Sequence, residues 1–447
     1  MYTPGYFKGK KITVMGLGLL GRGVGDIRFF AEEGAELIVT DLKPESELRA
    51  SLIELKHFKN ITYVLGEHRL EDFRNRDFIL KAASVPLDSE YITEARKNNI
   101  PIEMSTALFA ALTPATIIGI TGTRGKSTVT HLLYEVLQKA NTSKVFLGGN
   151  VKGVSTLQFL REAKEGDIAV LELDSWQLQG FGERKISPHL AIFTTFYADH
   201  LNYYKGDMVA YLNDKSYIFK YQTEKDIFIM GDRVSDILTQ KYKEDIHAQT
   251  IIARVDDIPQ DWQIYMPGEH NKYNAAIVVA AARALQIPND VIKKAIEDFK
   301  GISGRLEFIR EYNGVKIYND TTATTPDATI VGLQALRSST NDPSTILIMG
   351  GADKNLDMSK LVQEISALTK KVILLSGTGS SRIAEDLKNA LGDKLVSSDS
   401  LQHAVKLAVQ CAQPGNTILL SPAFASFGMF TNEFERGESF NKLIRFL

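Results

Sequence analysis

The segment GITGTRGKST, residues 119–128, has the composition of a phosphate-binding loop. An apolar run leads into a turn containing Gly122 and Gly125, and Lys126 and Ser127 follow where a helical pattern begins. Strict Walker A spacing would place one more glycine five residues before Gly125, and that glycine is absent. Backbone N–H groups at a helix start bind anionic oxygens, a lysine reaches terminal phosphates, and a serine hydroxyl can bind Mg²⁺. The segment therefore predicts a nucleotide phosphate site.

Three further segments carry side chains that could complete a magnesium site. Glu172 lies at the end of the apolar run 167–173, where a strand would deliver one acid as a Walker B acid is delivered. His200 comes shortly after the apolar run 189–196. Lys215, in YLNDKSYIF, is by itself typical of a solvated helix lysine. Each of these residues also has an ordinary structural interpretation. A magnesium site is favoured only because the same chain carries a phosphate loop.

A second glycine cluster, GLGLLG at residues 16–21, follows the apolar run ITVM. It fits the G-x-G-x-x-G pattern, and Asp41 ends the next apolar run as in dinucleotide-binding folds. An NAD-dependent dehydrogenase is one interpretation, a site for a nucleotide-diphosphate sugar is a second, and a tight turn without ligand is a third. The sugar interpretation gives the two loops different ligands, whereas the NAD interpretation leaves the ATP-type loop unexplained.

Short apolar runs alternate with longer helical patterns, which predicts an α/β fold with mostly parallel sheets. Ligand crevices in such folds open at the carboxyl ends of strands, where these runs end in small or polar residues. We expect domain boundaries near 106–112 and 300–305, giving segments 1–108, 109–302 and 303–447. The strand-like runs of the last segment are 314–320, 344–351, 371–377 and 416–422.

Length and composition narrow the functional classes. A chain of 447 residues suggests about three domains. The net charge of −2 offers no bulk positive field for nucleic acid or an anionic membrane, so neither is expected as a partner. The single cysteine, Cys411, fits a reducing compartment, and the longest apolar run, 275–285, is too short for a bilayer span. We therefore expect a soluble cytoplasmic protein.

The order and spacing of these segments resemble the Mur ligase family, ATP-dependent amide-forming enzymes of bacterial cell-wall synthesis. The resemblance covers essentially the whole chain. The segments that carry it are GLGLLGRG, TGTRGKST, GGN, LELDSWQL, DHLNYY, DKSYIF, GEHNKYNAAIVVAAA, GRLE, YNDTTATT, GGADKNLD and SPAFASFGMF with ERG. It implies a three-domain architecture: a Rossmann-like UDP-binding domain, a central P-loop ATPase-like domain, and a Rossmann-like C-terminal domain that binds an amino acid.

The resemblance also implies roles for individual residues, position by position. The nucleotide contacts would come from Gly122, Thr123, Arg124, Gly125, Lys126, Ser127, Thr128, Asn271, Asn274, Arg305 and Asp320. Magnesium would be held by Ser127, Glu172, His200 and Lys215, the lysine as a carbamate formed with CO₂. Lys126, Glu172, His200 and Lys215 form the expected catalytic set. Substrate contacts would come from Gly18, Leu19, Leu20, Asp41, Ser84, Asn150, Thr324, Lys354, Ser426, Phe427 and Phe434.

The implied activity joins D-glutamate to UDP-N-acetylmuramoyl-L-alanine at the expense of ATP, in a monomer that uses Mg²⁺. Two departures bear on the acceptor: Thr322 stands where members with this activity commonly carry lysine, and Glu433 stands where an aromatic is expected. A ligase of the same family with another acceptor, such as a folylpolyglutamate type, therefore stays open. A nucleotide sensor without catalysis is a further alternative, although such a binder needs no second metal site.

Overall fold

The computed structural model describes residues 1–18, 21–151, 153–199, 203–337 and 343–447. The chain divides into two compact units, one formed by 1–262 with 273–296 and the other by 263–272 with 297–447. Within the described residues there are three sheets, two in the first unit and one in the second. The structure confirms the α/β class expected from the alternating pattern.

The first sheet has five parallel strands in the order β3-β2-β1-β4-β5. Its strands are β1 (Lys11–Met15), β2 (Glu36–Asp41), β3 (Ile61–Leu65), β4 (Phe78–Lys81) and β5 (Ile102–Glu103). The accompanying helices are α1 (Arg22–Glu32), α2 (Glu45–Leu55), α3 (Glu90–Lys97) and α4 (Ser105–Leu112). The glycine cluster lies between β1 and α1, at the carboxyl edge of this sheet.

The second sheet has six parallel strands in the order β11-β10-β9-β6-β8-β7. Its strands are β6 (Thr116–Thr121), β7 (Val145–Gly149), β8 (Ile168–Glu172), β9 (Leu190–Phe193), β10 (Ile227–Gly231) and β11 (Gln249–Ala253). The helices that follow are α5 (Lys126–Ala140), α6 (Ser175–Arg184), α7 (Met208–Ser216), α8 (Asp232–Tyr242), α9 (Glu269–Ala284) and α10 (Asn289–Asp298). The phosphate loop joins β6 to α5, with β8 and β9 on either side of β6.

The third sheet has the order β12-β13-β17-β14-β15-β16, and only β12 runs antiparallel to its neighbour. Its strands are β12 (Glu307–Tyr312), β13 (Val315–Asn319), β14 (Thr345–Gly350), β15 (Lys371–Leu375), β16 (Leu395–Ser398) and β17 (Thr417–Leu420). Its helices are α11 (Pro326–Ala335), α12 (Ser359–Leu368), α13 (Thr378–Leu391), α14 (Leu401–Cys411) and α15 (Glu433–Arg445).

Central strands are buried on both faces, which explains why they appear in the sequence as continuous apolar runs. In β14, Ile346 and Ile348 pack into one apolar cluster while Leu347 and Met349 pack into the cluster on the opposite face. Helices cover both sides of a parallel sheet, so alternation of polar and apolar residues is lost. The carboxyl ends, where the runs stop, are the positions left for polar side chains.

Within the first unit, two buried or partly buried polar contacts join elements of the first sheet to elements of the second sheet. Ser155, after β7, donates a 2.6 Å hydrogen bond to Asp26 of α1. A side chain at Gly25 would meet the Ser155 Cβ at 2.6 Å, so glycine permits this close approach. Arg184 of α6 binds Glu103 of β5 through two 2.6 Å hydrogen bonds. These contacts fix the two sheets of the unit against each other.

In the ranges that the structure describes, no helix combines the length and apolar character needed to cross a membrane.

Burial raises the pKa of Asp26 to about 6, against 3.8 for a free carboxyl, so the folded state favours its protonated form. The ionised carboxylate therefore opposes folding at neutral pH, and this penalty disappears as pH falls below about 6. We expect Asp26→Asn, which keeps an oxygen for Ser155, to raise the unfolding free energy by up to about 3 kcal/mol near pH 8. Denaturant melts at several pH values measure it.

The gain should shrink toward zero near pH 4, where the wild-type carboxyl is protonated as well. Asp236→Asn, on the exposed face of α8, is the matched control and should change stability little at either pH. A destabilised Asp26→Asn at alkaline pH would contradict the assignment.

Candidate functional site

The phosphate loop has the backbone geometry of an anion site. Gly125 has a φ of 89° and begins α5 without a side-chain capping hydrogen bond. The first N–H groups of a helix lack intrahelical partners and carry the positive end of its dipole. Gly122 has a φ of 139°, and a Cβ there would lie 2.1 Å from the Thr194 hydroxyl. Both glycines are therefore required by the local conformation, and the cradle they leave fits phosphate oxygens.

Two threonines after β9 hold this loop in place. Thr123 donates its backbone N–H to the Thr195 carbonyl at 2.7 Å, and Arg124 donates its N–H to the Thr195 hydroxyl at 2.9 Å. The Thr194 hydroxyl donates to the Arg124 carbonyl at 2.6 Å. Sequence reasoning missed both threonines, although their place directly after a buried strand was a usable signal. The Arg124 side chain is exposed.

Two lysines meet at one carbonyl oxygen of the loop. Lys126 Nζ donates to Gly122 O at 2.9 Å and to Thr123 O at 3.1 Å. Lys215 Nζ, from α7, also donates to Gly122 O at 2.9 Å. The Lys215 side chain is only 1% exposed, and burial together with the charge of Lys126 lowers its pKa well below the usual range. Lys215 is therefore not the solvated helix lysine that its own segment suggested.

Oxygen groups suitable for magnesium lie next to the same loop. Glu172 ends β8, pairs with Ile120 of β6 and is 5% exposed; within the described ranges its carboxylate has no hydrogen-bond or ion-pair partner. Ser127 lies in the first turn of α5, with Thr128 beside it. Carboxylate and hydroxyl oxygens are ligands that Mg²⁺ accepts, whereas an ammonium at Lys215 would repel the ion. His200 lies outside the described residues, and no group of three metal-binding side chains occurs within them.

Helix α9 contributes both predicted asparagines. Asn274 is buried and packs so closely on the loop that a Cβ at Gly125 would lie 2.4 Å from its Oδ1. Its neighbour Tyr273 donates its hydroxyl to the Thr194 carbonyl at 2.7 Å. Asn271, one turn earlier, is also buried and donates to the Pro267 carbonyl at 2.9 Å. The structure thus brings Asn274 to the phosphate loop.

The glycine cluster of the first sheet is organised around Asp41. This carboxylate accepts the N–H groups of Leu17 at 2.9 Å, Gly18 at 3.2 Å and Lys43 at 2.9 Å. The carboxylate thus occupies loop amides that a dinucleotide diphosphate would otherwise use. Ser84 is exposed on the turn after β4. Leu19 and Leu20 lie outside the described residues.

Asn150 follows β7 at the edge of the second sheet. Its backbone N–H donates to the Glu172 carbonyl at 2.7 Å, so its position is tied to the acid of β8. Gly149 has a φ of 82°, and a Cβ there would lie 2.2 Å from the same carbonyl. The predicted donor contact and the predicted metal ligand therefore stand on adjacent strand ends.

In the second unit, Asp320 directly follows β13 and is buried. Its carboxylate accepts the N–H of Leu306 at 3.1 Å and the hydroxyl of Ser421 at 2.9 Å. Burial raises its pKa to about 7, with the charge of the exposed Arg305 acting in the opposite direction. The charge of Arg305 therefore acts on the Asp320 carboxyl, and their shared contact with the nucleotide stays a prediction.

The predicted amino-acid contacts also lie in the second unit. Lys354 donates from Nζ to the Thr324 hydroxyl at 2.8 Å, although thirty residues separate them in the sequence. Ser426 is buried after β17, whereas the adjacent Phe427 is 64% exposed. Phe434 lies in the first turn of α15. The structure joins Thr324 to Lys354 directly.

Arg436, in the ERG segment, was not predicted as a site residue. It is 1% exposed, and its guanidinium donates three hydrogen bonds. The acceptors are the Thr321 hydroxyl at 3.1 Å, the Thr321 carbonyl at 2.9 Å and the Phe424 carbonyl at 3.4 Å. Burial lowers its pKa to about 10. It connects the loop after β13 with the loop after β17, the two loops that carry Thr324 and Ser426. A lone arginine in a helical pattern gave no signal of this.

Two family models match this chain, one over the segment with the phosphate loop and one over the C-terminal segment. A model described as the Mur ligase middle domain matches residues 120–251, which include the phosphate loop. A model described as the Mur ligase, glutamate ligase domain matches residues 304–424.

Curated relatives match the chain over nearly its whole length. A UDP-N-acetylmuramoylalanine–D-glutamate ligase of Roseiflexus sp. (strain RS-1) is 36% identical, with 98% of each chain covered. The ligase of the same name from Borreliella afzelii (strain PKo) is 37% identical, again with 98% of each chain covered.

Solved structures agree on the fold. A UDP-N-acetylmuramate–alanine ligase of Thermotoga maritima superposes with a TM-score of 0.62 at 19% identity, over 98% of this chain and 99% of that one. A MurF ligase of the same organism, solved in complex with ADP, superposes with a TM-score of 0.59 at 17% identity, over 100% and 97%. Since close relatives and both family models agree along the chain, it belongs to the Mur ligase family.

Proposed function

We propose that this chain is an ATP- and Mg²⁺-dependent ligase that joins D-glutamate to UDP-N-acetylmuramoyl-L-alanine in peptidoglycan precursor synthesis. The observation that carries the proposal is the convergence of Lys126 and Lys215 on the Gly122 carbonyl, beside Glu172. The phosphate loop, the buried amine of Lys215 and the carboxylate of Glu172 thus lie next to one another. The curated relatives bear the name of this activity.

The phosphate loop binds the ATP phosphates in this proposal. The N–H groups at the start of α5 and the ammonium of Lys126 contact the anionic oxygens, and Lys126 exchanges its loop carbonyls for the γ-phosphate. Arg124, whose side chain is exposed at the loop, adds a second positive charge. Asn274 positions the loop, and Asn271, Arg305 and Asp320 are assigned to the rest of the nucleotide.

Magnesium is assigned to Ser127, Glu172, His200 and Lys215. When bound, it neutralises charge on the phosphates during transfer. Lys215 fits this set only as a carbamate: its neutral amine nitrogen attacks the carbon of CO₂, one proton is released to solvent, and an anionic carbamate remains. Burial and the charge of Lys126 lower the pKa of Lys215, which favours the neutral amine that is the nucleophile for that addition.

The reaction proceeds in two transfers. A carboxylate oxygen of the donor's L-alanyl group attacks the γ-phosphorus, the bond to the bridging oxygen breaks, and ADP leaves. The D-glutamate nitrogen then attacks the carbonyl carbon of the acyl phosphate. Inorganic phosphate leaves, the nitrogen loses a proton, and an amide remains. Oriented binding replaces random encounters, which in general accounts for several kcal/mol of barrier.

The three segments predicted from sequence receive one substrate each. Segment 1–108 binds the UDP moiety through Gly18, Leu19, Leu20, Asp41 and Ser84, and 109–302 binds ATP, with Asn150 contacting the muramoyl-alanine part. Segment 303–447 binds D-glutamate through Thr324, Lys354, Ser426, Phe427 and Phe434. We further propose a cytoplasmic monomer, since its substrates are soluble nucleotides and amino acids.

Positive charge in the second unit supports an acidic acceptor even though Thr322 replaces the usual lysine. Lys354 is bound to Thr324, and Arg436 is bound to the neighbouring Thr321. The dehydrogenase alternative loses support because the curated relatives that match nearly the whole chain are named as ligases.

Phosphate release tests the proposed reaction. With ATP and Mg²⁺, the purified chain should release phosphate only when UDP-N-acetylmuramoyl-L-alanine and D-glutamate are both present, because each transfer needs its nucleophile. A panel of amino acids, with L-glutamate as the matched control, identifies the acceptor. Release with neither co-substrate would instead indicate a simple ATPase, and equal rates with neutral amino acids would contradict the acidic acceptor.

Lys126→Met should reduce kcat by about a hundredfold or more, because the transferring phosphate loses a positioned positive charge. Lys139→Met, at the other end of α5, is the control and should keep wild-type turnover. Thermal melts of both variants check the fold. Wild-type turnover in Lys126→Met would remove the loop from the mechanism.

The carbamate is tested with ¹³C-labelled bicarbonate. Wild-type protein should show a carbamate carbon resonance that is absent from Lys215→Arg, because a guanidinium does not add CO₂. Lys215→Ala should lose activity and regain part of it with a short carboxylic acid, which supplies the missing anion. Full activity of Lys215→Arg would exclude a role for the carbamate.

A further inference from the structure

Lys81 is a buried lysine that the proposed mechanism does not use. It ends β4 at the carboxyl edge of the first sheet and is only 2% exposed. Its ammonium donates to three backbone carbonyls of the following turn: Ala82 at 3.2 Å, Ala83 at 3.1 Å and Val85 at 2.6 Å. One buried cation thus draws three peptide oxygens to the same side of the turn.

This arrangement has a consequence for the opposite side of the turn. The N–H of Val85 donates to the Ala82 carbonyl at 3.1 Å, which closes a β-turn over residues 82–85. In a trans peptide the C=O and the next N–H point in opposite directions, and the described chain contains no cis peptide. Carbonyls of Ala82 and Ala83 that face Lys81 therefore direct the N–H groups of Ala83 and Ser84 outward. Neither N–H has a hydrogen-bond partner in the described part of the chain.

The turn adjoins the glycine cluster. Met15 of β1 pairs with Lys81, and the Ala82 N–H donates to the Met15 carbonyl at 2.9 Å. A Cβ at Gly16 would lie 2.9 Å from the Ala82 side chain, so glycine is needed for the two loops to touch. Asp41 already occupies the amides of Leu17 and Gly18, which leaves the outward amides of the turn as donors at this edge.

We propose that Lys81 is a positioning residue that holds the N–H groups of Ala83 and Ser84 outward as a two-donor recognition element for an oxygen of the UDP moiety. The inference rests on the proposed function, because it deepens the assignment of this edge to the donor. Two adjacent N–H groups suit a carbonyl oxygen of the base or an oxygen of the diphosphate equally. Both are acceptor oxygens, and the experiment separates them.

The electrostatic setting gives the proposal a pH-dependent readout. Burial lowers the pKa of Lys81 to about 8, and the facing carboxylates of Asp174, Glu183 and Asp214 act in the opposite direction. A neutral amine has two N–H donors for three carbonyls, and its lone pair faces oxygen atoms. As pH rises through about 8, the carbonyls should lose their common partner and the turn its fixed orientation.

Calorimetric titration of the full chain with UDP tests the proposal. Lys81→Met, which keeps the apolar stem, should bind UDP about tenfold more weakly than wild type while its ATP affinity is unchanged. Lys97→Met, on the exposed face of α3, is the matched control and should bind UDP as wild type does. Titrations with uridine and with pyrophosphate identify the oxygen: the ligand whose affinity also falls in Lys81→Met carries it.

The pH series covers the case in which Lys81→Met does not fold. Wild-type UDP affinity should fall several-fold between about pH 7.5 and about pH 9, where the phosphates are already ionised. In a folded Lys81→Met the profile should be flat apart from ionisation of the uracil, which is common to both proteins.

Two results overturn the inference, and they are distinguishable from failure of the proposed function. UDP affinity within twofold of wild type in a folded Lys81→Met overturns the role of Lys81 while leaving the donor assignment intact. A wild-type affinity that does not change with pH overturns it as well. Wild-type protein that binds ATP but not UDP would overturn the donor assignment itself.

Discussion

The carbonyl oxygen of Gly122 is the acceptor on which the second sheet's site depends. It accepts hydrogen bonds from the amino groups of two lysines at 2.9 Å, one from the loop's own helix and one from α7. Burial and the nearby charge of Lys126 both disfavour a second ammonium at Lys215, so they lower its pKa. Arrival of a phosphate would relieve this by drawing Lys126 away. Thr194 and Thr195 make the arrangement possible, because they fix the loop that presents the carbonyl.

Two glycine loops lie at the carboxyl ends of parallel strands, and they differ in whether their backbone N–H groups remain available to a ligand. The loop before α5 leaves its helix start uncapped, so its N–H groups remain for an anion. The loop after β1 gives its amides to Asp41, and its neighbour after β4 is shaped from within by Lys81. A glycine pattern alone does not distinguish these cases, because the side chain that binds the loop, such as Asp41, lies outside the pattern.

The sequence predicted the α/β fold, because buried parallel strands are continuous apolar runs whose ends are marked by glycine and polar residues. It also indicated the phosphate loop, whose glycines have left-handed or crowded conformations. The segment around Lys215 did not by itself indicate its burial, because nothing in α7 shows that its lysine faces the loop; only the family resemblance assigned it to the site. Lys81 and Arg436 were missed for a related reason. Lys81 binds backbone carbonyls of the turn that follows it, and Arg436 binds loop atoms distant in sequence. No residue pattern encodes either kind of contact.

In the second unit, the charge of the Arg436 guanidinium can favour an acidic ligand without contacting it. Arg436 is fully buried, and its hydrogen bonds in the described residues go to uncharged oxygens of Thr321 and Phe424. A buried cation whose bonded acceptors are neutral leaves a positive potential nearby, since little water screens it, and the charge of Glu433 offsets only part of it. Lys354, bound to Thr324, adds a second positive charge on the same set of loops. An acidic amino acid suits that potential better than a neutral one, so threonine at 322 is compatible with the proposed acceptor.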